Sequence, residues 1–291
     1  MENKIYRINR SRSLERLSER LGSSFSLASA IRDLLKTRNS LDILEIGFGY
    51  GHVLLELAWL FREQEVRFNG VDKRLNIANR EELREAAVHF NIVPASDIDR
   101  FTLPLLHSYD ATSMHFADES IDFVYSAFVV RFIEHKDKFI EEVCRVLRPG
   151  GRAVLHIGGA NWNYPYGKKT DNRHLTHFLN RFVLKYGDEL IPLPIYMKLF
   201  ESNTFNFKFA DHPHCILLIH KTASGKLSLN LDFNEKLSMS GRKLPLRNRK
   251  GDIKGGFRTV YDIHGQYYDA LFDRGLLSIE YIKHSRKLPL H

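Results

Sequence analysis

Hydrophobic and polar positions follow two alternating patterns over residues 41–157. Short apolar runs, typical of buried strands, are followed by stretches in which apolar residues recur every three or four positions, as on one face of a helix. The predicted strands cover residues 41–46, 66–71, 121–125 and 152–157, and the predicted helices cover residues 52–62, 76–89 and 137–147. This alternation predicts an α/β fold: a mostly parallel, doubly wound sheet with helices on both faces.

The two flanks of this region have different patterns. Residues 13–21 and 27–37 predict two N-terminal helices. Beyond residue 158, residues 161–169 predict a polar aromatic loop, residues 175–186 a helix, and residues 215–220 a strand that would complete the sheet at its edge. Residues 242–258 carry seven basic residues and one acid, and glycine and proline are expected to break any regular element there.

These patterns divide the chain into three parts. We expect an N-terminal helical segment at residues 1–40, a central α/β domain at residues 41–222, and a basic C-terminal extension at residues 223–291. With 291 residues, 43% hydrophobic and 27% charged, the composition is that of a globular protein and excludes extended disorder.

Charge is distributed unevenly along the chain. The net charge is +5 over residues 1–40, with nine basic and four acidic residues; it is −6 over residues 41–160, with thirteen and nineteen, and +9 over residues 161–291, with twenty-one and twelve. Basic flanks can attract a polyanion such as RNA, although a basic surface is also common in proteins that bind no nucleic acid. RNA is therefore one candidate partner.

The sequence also indicates where the protein acts. The two cysteines, Cys144 and Cys215, have no CxxC partner, which favours a reducing compartment and disfavours a structural zinc site. Residues 1–11 are polar, and no run of about 18 apolar residues occurs, so we expect neither a signal peptide nor a membrane span. A cytoplasmic protein is predicted.

Candidate chemistry lies where the first predicted strand ends. An acid, Glu45, is followed by glycines at positions 47, 49 and 51, and a predicted helix begins at His52. Glycine lets the backbone turn sharply and approach a ligand closely, and the start of a helix offers free amide donors, so we expect a cofactor here. The GxGxxG fingerprint of NAD and FAD proteins would need glycine at His52, and a P-loop would need Gly-Lys-Ser/Thr; neither is present.

The next predicted strand ends at Asp72. An acid at the carboxyl end of the second strand is placed to accept hydrogen bonds from both hydroxyls of a ribose. The cofactor is therefore expected to contain a ribose.

Four motifs in this order resemble those of class I S-adenosylmethionine-dependent methyltransferases, in the broad group with E-x-G-x-G-x-G, an acid, D-A and R-V-L-x-P-G-G. They stand here at residues 45–51, Asp72, residues 110–111 and residues 145–151. The likeness covers about residues 40–158. It implies a Rossmann-like sheet of about seven strands, S-adenosyl-L-methionine (SAM) as cofactor, and an enzyme that transfers a methyl group.

The resemblance also implies roles for the first two motifs. Gly47, Gly49 and Gly51 would form the turn against the methionine and ribose portion of the cofactor. Glu45 would brace that loop or reach the amino group of the cofactor. Asp72 would bind the ribose.

The resemblance implies the remaining cofactor contacts as well. Asp110 would accept a hydrogen bond from the adenine amine, with the backbone of Ala111 beside the ring. The chain before Asp110 is longer than the family usually needs, so Asp97 and Asp99 compete with it for this role, and Asp110 is preferred because Ala111 and a predicted strand follow it. Ser126 would border the donated methyl group.

The acceptor side is less well defined. Many relatives carry a histidine where this chain has Phe132, so no general base or other catalytic residue can be assigned. Residues 161–169 could form a substrate lid. The histidines at positions 135, 174, 177, 212 and 214 have no accompanying carboxylate cluster, and no metal site is expected.

Two functions from different classes therefore stay open. The first is a methyltransferase acting on a small-molecule oxygen or nitrogen, or on RNA. The second is a non-catalytic module that binds SAM, RNA or protein on the same fold. The sequence predicts no membrane partner and fixes no oligomeric state.

Overall fold

The computed structural model describes most of the region that carries the motifs and parts of the remainder. The described residues are 13–21, 26–73, 79–130, 133, 136–156, 173–178, 181–186, 189–191, 202–210, 216–229, 239–247, 253–263, 266–273 and 276–282. Those up to residue 156 and from 202 to 229 form one compact unit, and those from 173 to 191 and from 239 to 282 form a second. The boundaries expected at residues 40 and 222 stay predictions.

The described residues form five helices and fourteen strands. The helices are α1 (Leu14–Leu21), α2 (Leu27–Leu35), α3 (His52–Leu60), α4 (Arg80–His89) and α5 (Lys136–Val146). The strands are β1 (Leu41–Ile46), β2 (Val66–Val71), β3 (Leu105–His107), β4 (Ile121–Ser126), β5 (Leu147–His156), β6 (Arg173–Phe178), β7 (Arg181–Tyr186), β8 (Glu189–Ile191), β9 (Phe205–Ala210), β10 (Ile216–Lys221), β11 (Met239–Arg247), β12 (Ile253–Ile263), β13 (Gln266–Asp273) and β14 (Leu276–Ile282).

The first unit is built on a seven-stranded sheet in the order β3-β2-β1-β4-β5-β10-β9. Strands β1 to β5 pair in parallel, and β10 pairs antiparallel with both β5 and β9. The central strands β1 and β4 are buried along their whole length, with helices packed against the sheet. This confirms the predicted doubly wound, mostly parallel α/β fold of about seven strands.

One detail of the sheet differs from the prediction. The strand expected at the sheet edge is β10, but it lies one position inside, because β9 pairs along its outer side. Phenylalanines at positions 205, 207 and 209 alternate along β9, the period of a strand with two different faces. This alternation is the signal that identifies β9 as a strand.

Side-chain caps set the first residue of two of the helices. The Ser26 hydroxyl accepts a hydrogen bond from the Ser29 N–H and caps α2. The Asn79 side chain accepts one from the Glu82 N–H at 2.9 Å, so α4 begins at residue 80 rather than at the predicted residue 76. Within the described residues, no helix has the length and apolar character needed to cross a membrane.

The second unit consists of two antiparallel sheets, β6-β7-β8 and β11-β12-β13-β14. The helix predicted at residues 175–186 is therefore wrong, since β6 and β7 pair there, with Leu175 opposite Leu184. These segments are rich in β-branched and aromatic residues such as Thr176 and Val183, which favour strands. Cross-strand pairing outweighs the helical spacing of their apolar positions.

The basic stretch at residues 242–258 is also more regular than predicted. It contributes to β11 and β12, which pair antiparallel from Met239 opposite Ile263 to Arg247 opposite Ile253. The register shifts between Pro245 and Arg247. Proline has no N–H to donate to the ladder, so a strand tolerates it where the pairing is irregular.

An ion network joins the amino ends of the central strands. The Asp122 carboxylate, at the start of β4 and 1% exposed, accepts hydrogen bonds from Arg38, from Arg148 at 2.7 Å and from the Asp42 N–H at 2.7 Å. Asp42 in turn pairs with Arg67 at 2.8 Å. Because every carboxylate here has guanidinium partners, the network fixes β1 against β4 and against the turn that starts β5.

We predict that Asp122→Asn lowers the free energy of unfolding by about 3 to 5 kcal/mol, because it leaves two guanidinium groups without their shared buried carboxylate. Urea denaturation followed by circular dichroism measures this change. Asp33→Asn, which breaks the exposed pair with Lys36, is the control and should leave the denaturation curve unchanged. Equal curves for wild type and Asp122→Asn would contradict the structural role of the network.

Candidate cofactor site

The candidate site residues gather at one edge of the sheet. Strands β1 to β4 are parallel, so their carboxyl ends lie side by side. The glycine loop follows β1, Asp72 follows β2, Asp110 follows β3, and Ser126 ends β4. The chain reverses its direction of strand addition between β1 and β4, and such a reversal opens a crevice above the carboxyl ends, where ligands bind.

The glycine loop turns through three left-handed residues. Gly47, Gly49 and Gly51 have φ angles of 81°, 60° and 72°. The Gly47 N–H donates to the Val71 carbonyl at 2.6 Å, which ties the start of the loop to the end of β2. Gly51 is the N-cap of α3 and provides no side-chain cap, so another group must satisfy the first amides of that helix.

Gly47 is also a point of close packing. A Cβ atom at this position would lie 2.1 Å from Cγ2 of Val129, a residue of the loop that follows β4. The loops after β1 and β4 are therefore in direct contact across the crevice. Val129 was not among the candidate residues, because no local pattern relates it to a glycine 82 positions earlier in the chain.

Asp72 connects the glycine loop to β2 and β3. Its carboxylate accepts a hydrogen bond from the Gly49 N–H at 3.0 Å, and its own N–H donates to the His107 carbonyl at 3.1 Å. The carboxylate is thus held at the carboxyl end of β2 and against the glycine loop. Its predicted role toward a ribose stays a prediction.

Asp110 is held by its neighbours as an ionised carboxylate. It accepts hydrogen bonds from the Lys73 ammonium at 2.7 Å and from the Thr112 hydroxyl at 2.8 Å and N–H at 3.0 Å. The hydrogen bond from Lys73 is the main reason that the pKa of Asp110 falls to about 2, and the Thr112 N–H lowers it further. Ala111 lies next to it and is half-buried. Lys73 was not among the residues predicted for the site, although it directly follows Asp72.

The two competing acids, Asp97 and Asp99, precede β3 in the chain, and the Asp99 carboxylate pairs with Arg84 of α4. Asp110 follows β3, and its hydrogen bond from Lys73 holds it next to the carboxyl end of β2. These contacts favour Asp110 over the two competing acids.

Ser126 is buried, and its hydroxyl donates to the Ile46 carbonyl at 3.0 Å. This bond joins the ends of β4 and β1 immediately below the crevice. The hydroxyl is therefore committed to the neighbouring strand, and its position beside a donated methyl group stays a prediction.

Glu45 braces the loop from below. It is only 5% exposed, and its carboxyl group accepts a hydrogen bond from the Tyr125 hydroxyl at 2.9 Å. The backbone N–H of Leu54, in the first turn of α3, also hydrogen-bonds to it, which supplies the cap that Gly51 lacks. Burial raises the pKa of Glu45 to about 8, and the nearby Asp72 carboxylate contributes to the rise. These contacts favour the bracing role among the two predicted for Glu45.

A pair of aromatic rings lies at the ends of β4 and β5, on the side where the acceptor is expected to bind. Phe128, with a left-handed φ of 61°, places its ring 4.3 Å from the ring of His156, the last residue of β5. Phe132 and the proposed lid at residues 161–169 lie outside the described residues. The described residues on this side thus include two aromatic rings.

Neither cysteine chemistry nor a metal centre is indicated within the described residues. Cys144 is buried in α5, and burial raises the pKa of its thiol, so it is unreactive. The described residues contain no group of three or more His, Cys, Asp or Glu side chains that could hold a metal ion. His135, His212 and His214 lie outside them.

Comparison with known proteins agrees with this arrangement. Residues 44–155 match a family model described as a methyltransferase domain. This part of the chain is therefore similar to methyltransferase domains. The match confirms the resemblance inferred from the four motifs.

The same segment resembles curated methyltransferases. It is 30% identical over 112 residues to a ubiquinone/menaquinone biosynthesis C-methyltransferase of Rickettsia massiliae, a match covering 38% of this chain and 42% of that protein. A malonyl-[acyl-carrier protein] O-methyltransferase of Methylococcus capsulatus is 49% identical over 50 residues, covering 17% of this chain and 18% of that protein. This chain therefore spans less than half the length of these curated relatives.

A solved structure of a SAM-dependent methyltransferase from Aquifex aeolicus matches this chain with a TM-score of 0.38 at 14% identity, covering 66% of this chain and 89% of that one.

We predict that Gly47→Ala lowers the free energy of unfolding by about 2 to 4 kcal/mol, because it combines left-handed strain with a clash against Val129. Thermal denaturation measures the loss. Adding Val129→Ala should restore part of it, since the Cγ atoms are removed while the backbone strain remains. A double variant no more stable than Gly47→Ala alone would show that the contact is not the cause.

We predict a pH signature for Glu45. Its pKa is higher in the folded protein than in the unfolded chain, so the folded state binds the proton more tightly, and the free energy of unfolding falls as the pH rises from about 5 to 8. Glu45→Gln lacks this titration, and its stability relative to wild type should rise over that range by a few kcal/mol, on the order expected for such a shift. Urea denaturation at several pH values measures the difference. Glu63→Gln, an exposed control, should follow wild type, and parallel curves for wild type and Glu45→Gln would contradict the prediction.

Proposed function

We propose that this protein is a SAM-dependent methyltransferase that binds its cofactor in the crevice between β1 and β4. The observation that carries the proposal is the 3.0 Å hydrogen bond from the Gly49 N–H to the Asp72 carboxylate. It joins two motifs 23 residues apart at the carboxyl edge, within the segment that matches the methyltransferase family. We assign cofactor contacts to the residues predicted from the sequence, which are Glu45, Gly47, Gly49, Gly51, Asp72, Asp110, Ala111 and Ser126.

The chemistry of these groups fits SAM. A carboxylate at Asp72 can accept hydrogen bonds from both ribose hydroxyls, and a carboxylate at Asp110 can accept one from an exocyclic amine. The Lys73 ammonium shares Asp110, so it holds that carboxylate ionised and oriented. When bound, SAM supplies a methyl group activated by a positively charged sulfur.

Methyl transfer is an in-line displacement, so positioning of the two reactants supplies much of the acceleration. A base is needed only when the acceptor arrives protonated. The rigid contacts among Glu45, Tyr125 and α3 would fix the cofactor side of this geometry. No general base is assigned among the described residues, and an acceptor that arrives deprotonated does not require one.

For the acceptor we propose either a small molecule with an oxygen or nitrogen nucleophile, or RNA, selected by residues after β5. The basic stretch at residues 242–258 supports the RNA alternative, because phosphate contacts by lysine and arginine dominate nucleic-acid affinity. The cysteine pattern supports a cytoplasmic location. A protein that binds SAM without transferring the methyl group is the alternative outcome.

We predict that wild type binds SAM and S-adenosylhomocysteine (SAH) in isothermal titration calorimetry, and that Asp72→Ala weakens both by about 10- to 100-fold through the loss of charge-assisted hydrogen bonds to the ribose. Asp97→Ala, at a position that precedes β3 in the chain, is the matched control and should bind as wild type does. Equal affinities for Asp72→Ala and wild type would contradict the assigned ribose site.

Turnover distinguishes an enzyme from a binding module. We would incubate the protein with methyl-labelled SAM and separate pools of RNA and small molecules, and measure label transferred to each pool. Transfer that is lost in Asp72→Ala supports the enzyme, whereas cofactor binding with no transfer to any pool supports the non-catalytic alternative.

A further inference from the structure

Glu45 is a buried acid with no cationic partner among the residues that the structure describes. Its carboxyl group is 5% exposed, and its hydrogen-bond donors, the Tyr125 hydroxyl and the Leu54 N–H, are both uncharged. The acids at the amino end of the same strands, Asp42 and Asp122, each pair with arginines. Glu45 therefore differs from the other buried acids of the central strands.

The titratable groups around Glu45 do not supply the missing positive charge. On β4 the neighbour is Tyr125, and after β2 it is Asp72, a second acid. On α3 the titratable residues are His52 and Glu56, which lie 3.4 Å apart and form a pair of their own. The surroundings of Glu45 thus contain an acid and neutral donors.

An isolated buried charge is costly, so a carboxyl group in such surroundings keeps its proton. A cation that binds nearby lowers the pKa of the carboxyl group, because opposite charge favours the ionised form. SAM carries one more positive charge than SAH, the product that remains after methyl transfer. Both ligands carry the same α-amino group, so a difference between them in proton release reports the sulfonium charge.

We propose that Glu45 selects the charged donor over the uncharged product by releasing its proton when SAM binds and regaining one after the methyl group has left. This inference rests on the proposed function. The proton balance closes over one turnover, since one proton passes to solvent on donor binding and one returns before product release. Glu45 acts as a specificity-determining residue below the glycine loop, and it takes no part in the displacement itself.

The direct readout is proton release on binding, without turnover. Titrations of wild type with SAM and with SAH at pH 7, each in phosphate and in Tris, give the number of protons released from the difference in binding enthalpy between the buffers. We expect close to one proton for SAM, as linkage requires for a group with a pKa near 8, and clearly less for SAH. The dissociation constant of SAM should fall by up to about tenfold per pH unit from pH 6 to 8 and level off above.

Three variants isolate the cause. Glu45→Gln keeps the size of the side chain and should abolish the extra proton released with SAM and reduce the preference for SAM over SAH. Tyr125→Phe removes one hydrogen bond to the carboxylate, so it should keep the proton release and shift the levelling-off to higher pH. Asp110→Asn removes a charge on the adenine side and should weaken both ligands equally, with proton release unchanged.

The outcomes separate this inference from the proposed function. Binding of SAM and SAH with equal proton release, or a Glu45→Gln variant with the wild-type difference, would overturn the role of Glu45 and leave the methyltransferase assignment intact. A wild type that binds neither ligand would contradict both. If Glu45→Gln fails to fold, the wild-type proton counts and the shift in Tyr125→Phe still decide the question.

Discussion

Parallel pairing of β1 with both β2 and β4 is the constraint on which the rest of the site depends. Together with the parallel pairing of β3 with β2, it brings the carboxyl ends of four strands to one edge, where hydrogen bonds connect them in a continuous row. Lys73 after β2 reaches Asp110 after β3, Asp72 reaches Gly49 after β1, and Ser126 reaches the end of β1 from β4. Residues scattered over about 80 positions of sequence thereby form one wall of a crevice.

The buried acids at the two edges of the sheet have different kinds of partner. At the amino edge, Asp42 and Asp122 are neutralised by three arginines, and their network stabilises the fold. At the carboxyl edge, Glu45 is held by neutral donors beside another acid, an arrangement that reduces stability at neutral pH. Functional sites concentrate such perturbed groups, so this contrast supports the role that we propose for Glu45 toward a charged ligand.

The elements that the sequence predicted well are those with a strong local signal. A short, mostly apolar run identifies β1, glycine spacing identifies the turn into α3, and the four motifs together identify the segment that matches the methyltransferase family model. Asp110 was preferred over Asp97 and Asp99 for its neighbour Ala111 and the strand that follows, and the structure adds that β3 lies between Asp110 and the other two acids. A three-residue strand such as β3 leaves too short a pattern to be read from sequence.

The contacts that the sequence could not predict join residues that lie far apart in the chain. Val129 against Gly47 and Tyr125 against Glu45 join loops and strands about 80 residues apart, and only strand order brings them together. The pairs β6-β7 and β11-β12 arise from antiparallel partners that override helical spacing or glycine-rich composition. The partners of a site residue are therefore harder to predict than the residue itself.

A crystal structure of the protein with bound SAH would show whether the crevice is the cofactor site. We expect the ligand in the crevice between β1 and β4, with the ribose hydroxyls on the Asp72 carboxylate and the adenine amine within hydrogen-bonding distance of Asp110. A ligand bound elsewhere, or one that leaves Asp72 without contact above an ordered glycine loop, would contradict this expectation.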